Sequence, residues 1–140
     1  MKKALLLFIV PAIIFAIGSC SSKGGGGGGG GGGNSEANLV VTLNPPANST
    51  QPAAPQTDFP LTVSITSAMP PQGVTIDVKA APDGSTTNFF TESRSSTVAN
   101  NNFTITGTPT GVVSVVTVTV TSKTKATNTV TLSYRYSRKP

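Results

Sequence analysis

From Asn38 onward apolar side chains recur at every second position, in short runs broken by proline, glycine and asparagine. Leu39, Val41 and Leu43 share one parity. So do Phe59, Leu61, Val63 and Ile65, set against Thr62 and Ser64, and so do Val74, Ile76, Val78 and Ala80, set against Thr75, Asp77 and Lys79. Further on, Val116, Val118 and Val120 alternate with Thr117, Thr119 and Thr121, and Val130, Leu132, Tyr134 and Tyr136 with Thr131, Ser133 and Arg135. Successive side chains of a strand point to opposite faces, so a period of two buries one face and leaves the other in water. Val, Ile and Thr are also the residues that suit a pleated surface. No window longer than a few residues carries a helical period.

Turn chemistry separates the runs. Asn44-Pro45-Pro46 ends the first, and the segment from Ala47 to Asp58, dense in Pro, Gln, Ser and Ala, reads as a loop. Met69-Pro70-Pro71-Gln72-Gly73 and Pro82-Asp83-Gly84 read as turns. A short strand is predicted from Phe89-Phe90 towards Arg94, followed by a corner at Asn100-Asn101-Asn102. Lys123 to Asn128 is the predicted tip of the last hairpin. Val112-Val113 and Val115-Val116 interrupt strict alternation, which predicts two-sided burial or a bulge.

Residues 38–140 leave about 100 residues for this pattern, enough for one domain with a modest core. Cys20 is the only cysteine of the chain, so packing and backbone pairing must hold the domain without a disulfide. Half-buried strands at even spacing predict an all-β fold, a single antiparallel β-sandwich, with a small barrel as the alternative. The pattern is similar to immunoglobulin-like and fibronectin type III-like domains of bacterial surface proteins, without the Cys, Trp, Cys spacing of true immunoglobulin domains.

Ahead of this domain, Lys2 and Lys3 precede the apolar run Ala4 to Ile17. That is a basic start and a hydrophobic segment of secretory-signal length, shorter than the roughly 20 apolar residues of a spanning helix and interrupted by Pro11. Ile17-Gly18-Ser19-Cys20 closes it: an aliphatic residue, two small ones and the lone thiol. This stretch resembles the lipobox of bacterial lipoproteins. The resemblance implies cleavage between Ser19 and Cys20, a signal peptide over residues 1–19, and a mature chain whose Cys20 carries diacylglycerol on sulfur and usually an acyl group such as palmitate on its amine. Two or three buried chains hold a membrane firmly where one does not. Ser21, in place of an aspartate, implies sorting to the outer membrane.

Gly24 to Gly33 is an unbroken glycine run. Such a run defines no single backbone conformation, and residues 20–37 are expected to form a flexible linker spanning about 25 Å on average. No strand precedes the glycines and no Gly-Lys-Ser/Thr ends them, so they lack the context of a phosphate cradle.

Chemistry is limited by what the chain does not contain. Without histidine there is no Ser-His-Asp triad and no imidazole-based zinc site. The acids Glu36, Asp58, Asp77, Asp83 and Glu92 are scattered, whereas a glycosidase needs two facing each other across a cleft. Asp83 alone is far short of a calcium site. The reading is of a protein that is not an enzyme, with no metal and no cofactor. Formal net charge is +5, of which Lys2 and Lys3 leave with the signal. A hairpin with its tip at 123–128 puts Lys123 and Lys125 about 34 Å from Arg138 and Lys139, so no nucleic-acid stripe is expected. Tyr134 and Tyr136 share a face with Val130 and Leu132 and read as core. Phe89 and Phe90 are adjacent and must point to opposite sides of a strand, which makes them the candidate contact surface for an envelope protein or glycan. Two functions fit: a lipid-anchored binding or accessory module of the cell envelope, or a structural spacer with no dedicated ligand.

Overall fold

The computed structural model describes residues 35–140, and all the regular structure among them is β-strand. The signal segment 1–19, Cys20 and the glycine run lie outside the described residues. The strands are β1 (Val41–Asn44), β2 (Phe59–Ile65), β3 (Val74–Pro82), β4 (Phe90–Ser96), β5 (Asn100–Ile105), β6 (Val113–Ser122) and β7 (Thr129–Ser137). They form two separate antiparallel sheets, ordered β1-β2-β5 and β4-β3-β6-β7, which is a sandwich and not a barrel.

The period-two residues form its filling. Leu61, Val63, Phe103 and Ile105 from the three-stranded sheet meet Ile76, Val78, Val116 and Val118 from the four-stranded one, and none of these is more than 3% exposed. Each such side chain contributes about 1.5–3 kcal/mol by leaving water. Opposite parity gives the outer face: Thr75, Thr117, Thr119 and Thr121 are half-buried between neighbouring strands. Cross-strand hydroxyl pairs run along it, Thr119 to Thr131 at 3.2 Å and Thr121 to Thr129 at 3.0 Å.

Two expectations are corrected. Asn100–Asn102 is not a corner but the start of β5, where the Thr62 hydroxyl donates to Asn102 Oδ1 and the Ser64 hydroxyl to Asn100 Oδ1, both at 2.9 Å. Side-chain pairing across the ladder overrides the turn preference of asparagine. No bulge occurs at Val112 to Val116, because β6 pairs without interruption with both β3 and β7. Val113 is exposed and Val115 half-buried on the outer face. One glycine is obligatory: Gly73, at φ 75°, would drive a Cβ to 2.3 Å from the Ser96 carbonyl oxygen.

The two edges of the four-stranded sheet are closed by separate devices. At β4, Glu92 and Arg94 have the parity of buried residues, being paired with Val78 and Ile76. They form an ion pair, and the Arg94 guanidinium lies 4.4 Å from the Phe103 ring centroid while donating to Asn102 O at 3.1 Å. Inward charge on an edge strand discourages pairing with another chain. At β7 the cover is residues 45–58, here called the strap. They form the predicted loop, but they run parallel to β7 and bond to it. Asn48 N–H donates to Ser133 O at 2.7 Å, Arg135 N–H to Ser49 O and Gln51 N–H to Arg135 O at 2.8 Å, Ala54 N–H to Ser137 O at 3.1 Å, and Lys139 N–H to Ala54 O at 2.9 Å.

Asn128, only 7% exposed, fastens the entry to the domain. Its Oδ1 accepts from Leu39 N–H at 2.9 Å, and its Nδ2 donates to Ala37 O at 2.9 Å and to Glu36 Oε1 at 2.5 Å. The residue closes the β6–β7 turn while tying residues 36–39 to it. Removing these bonds strands buried backbone groups, so Asn128→Ala is expected to lower the unfolding free energy by about 1–3 kcal/mol. Urea denaturation of the two proteins checks this, with an unchanged slope and a lower midpoint.

Candidate functional site

Ser19 and Cys20 lie outside the described residues. Phe89 and Phe90 sit where the β3–β4 connection enters β4, and Phe89 N–H donates to Ala80 O at 2.9 Å. Both residues are half-buried and packed against the core, so neither is the fully exposed member that opposite orientation on a strand predicts. Among the described residues the exposed large apolar ones are Val40, Val98, Val112 and Val113, which fall at the two ends of the sandwich rather than in one patch. The charges are dispersed as well. Asp83 pairs with Arg135 at 3.1 Å, Glu92 with Arg94, and Glu36 meets Asn128. Among the described residues no group of three acids could hold a metal ion.

The concave feature that sequence reasoning missed lies between the strap and the sandwich. Crossing from the end of β1 to the edge of β7 and back to β2, the strap spans the gap between the sheets and leaves a cleft of about 190 Å³. Phe59, Tyr134 and Tyr136 line it from the sandwich, and Pro45, Pro52 and Ala54 from the strap. Gln51 and Gln56 bring the polar groups of the lining, with Pro60 completing it. No ionised side chain takes part. Phe59 and Tyr136 pack tilted at 57° with centroids 4.4 Å apart, and the Tyr134 ring follows 6.0 Å from that of Tyr136.

The two tyrosines are each 2% exposed, as their core-face parity predicts, yet their hydroxyls differ. Tyr136 Oη shares a 2.7 Å hydrogen bond with Thr108 Oγ1. Tyr134 Oη is buried and has no partner. A buried hydroxyl without a bond is an uncommon and costly arrangement in a folded protein. Desolvation raises the pKa of Tyr134 well above the ordinary phenol range, and its neighbour Tyr136 adds to the shift. Burial raises Tyr136 also, partly offset by the bond to Thr108.

A second, wider groove of about 480 Å³ crosses the outer face of the four-stranded sheet. Ala81 and Val115 floor it, with Lys79, Ser85, Thr86 and Asn88 around them. It contains no buried, unpartnered polar group, which leaves the cleft under the strap as the better-formed site. No protein-family model matches this chain, and neither a curated protein nor a solved structure does.

Both tyrosines keep their protons in the folded state at pH values where an unfolded chain, with phenols near about 10, has lost them. The unfolded state then binds fewer protons than the native one, so the stability held below that pH falls as pH rises above it. These are the only tyrosines and there is no tryptophan, so tyrosinate absorbance reads them alone. Native protein is expected to show little tyrosinate near pH 10 while urea-unfolded protein titrates, and Tyr134→Phe is expected to lessen the alkaline loss of stability.

Proposed function

We propose that this chain is a lipid-anchored protein of the cell envelope, held by acylated Cys20 at the outer membrane, and that it displays a non-catalytic immunoglobulin-like or fibronectin type III-like domain as a binding or accessory module. The anchor rests on Ile17-Gly18-Ser19-Cys20 behind a basic, apolar leader. The domain type is supported by seven strands split three and four, with neither a tryptophan nor a disulfide among them. With β4 beside β3 rather than β5, the order departs from the constant-type immunoglobulin arrangement, which puts its fourth strand on the first sheet. The fibronectin type III-like reading is therefore the closer one.

The observation that carries the binding role is the cleft under the strap, an apolar hollow lined in part by Tyr134, whose buried hydroxyl has no partner. A second reading, a structural spacer with no ligand, draws on the outer face of the four-stranded sheet, where Thr117, Thr119, Thr121, Thr129 and Thr131 lie side by side. That hydroxyl-covered surface gives an apolar partner little to grip.

Metabolic labelling with a palmitate analogue, followed by membrane fractionation, tests the anchor. Wild type is expected to carry label in the membrane fraction, and Cys20→Ala to lose both the label and the membrane association. Equal labelling of the variant, or a free thiol on the membrane-bound protein, would remove the anchoring claim.

A further inference from the structure

Tyr134 lines the apolar hollow under the strap and carries a buried, unpartnered hydrogen-bond donor. We propose that this cleft takes the ring of a prolyl residue from an extended, proline-containing segment of a partner protein, a carbonyl oxygen of that segment accepting the hydrogen bond of the Tyr134 hydroxyl. The inference rests on the reading of the domain as a binding module and names what it binds.

Size selects a single ring. About 190 Å³ is close to the engineered cavity of about 150 Å³ that holds benzene, and well below the roughly 300–1,000 Å³ of sites for larger ligands. Charge then selects a neutral one, because no lysine, arginine, aspartate or glutamate lines the cleft to meet a phosphate, a carboxylate or an ammonium. A sugar is excluded by hydrogen-bond accounting, since its several hydroxyls would find only Gln51, Gln56 and one phenol.

A prolyl unit fits what remains. It lacks an N–H and so needs no acceptor where the lining offers few, and its neighbouring carbonyl supplies the acceptor that Tyr134 lacks. Its backbone is already stiff and extended, so little entropy is lost on docking against aromatic rings. Phe59 and Tyr136 present such rings. A phenol is protonated across the physiological range, so Tyr134 is a donor there. Its oxygen is closed off from solvent, so the wall must give way for a ligand to reach it. Ligand entry therefore requires displacement of the strap, which is held by its backbone bonds to β7 and by Ala47 and Ala54 packed against the core.

The test uses the only two tyrosines as reporters, since both line the cleft and no tryptophan masks their emission. The full chain in detergent is titrated with an acetylated, amidated (Ala-Pro)n peptide, with an (Ala-Ser)n peptide as control. A saturable change in tyrosine emission is expected with the proline peptide alone. Tyr134→Phe, which removes one hydroxyl and leaves the ring, is expected to keep its melting transition and to bind about fivefold more weakly. No saturable change in wild type, equal response to the control peptide, or undiminished binding by Tyr134→Phe would overturn the proposal. N-Acetylpyrrolidine binding where the peptide does not would also overturn it, while leaving the cleft as a site for small rings. Acylation of Cys20 is read by labelling and is unaffected by any of these results, so loss of the ligand assignment and loss of the anchor are told apart.

Discussion

Two sheets joined by neither a disulfide nor a shared backbone ladder must hold together by the fit of their inner faces, and every other feature of this domain depends on that fit. Leu61, Val63 and Ile105 on one side and Ile76, Val78, Val116, Val118 and Val120 on the other are each no more than 1% exposed. Many are β-branched, with few rotamers to lose, so their burial costs less side-chain entropy than that of longer residues. The same alternation puts threonine outside, where its methyl and hydroxyl cover the backbone. Sheet formation and sheet packing are thus set by one pattern.

A sandwich built this way has edges, and the way those of the four-stranded sheet are closed shapes its surface. Arg94 reaches from β4 across the opening to the face of Phe103 and to Asn102 O, joining the two sheets on one side. On the other side the strap carries the chain from β1 to the free edge of β7 before it returns to β2. Small side chains and prolines let the strap lie close to β7, but they do not fill the space over Phe59 and Tyr134. The cleft is therefore a by-product of edge protection.

Much of the domain was legible from residue types alone. The alternation in β2, β3, β6 and β7 located those strands, and Ser122 and Thr129 flank the predicted hairpin tip at 123–128. Tyr134 and Tyr136 fall on the core face that their parity required. Asn100–Asn102 misled because asparagine favours turns, and the partners that hold it in β5 lie in β2, some forty residues earlier. Strand order could not be read, since it depends on which edges meet rather than on any one strand. The strap looked like a plain loop because its bonds are to Ser133 through Lys139, far along the chain, and proline-rich segments give no local sign of such pairing. The cleft was hidden for the same reason: Pro45, Gln51 and Tyr134 converge only after the topology is in place.

The clasp at Asn128 sets how the domain bears mechanical load. Tension arriving at Ser35 meets the hydrogen bonds to Glu36, Ala37 and Leu39 first, and then runs along the axis of β1. The bonds from β1 to β2 lie across that axis. They are strained together in shear instead of being unzipped one after another. Load applied through Ser35 would be released only when the whole short ladder fails at once.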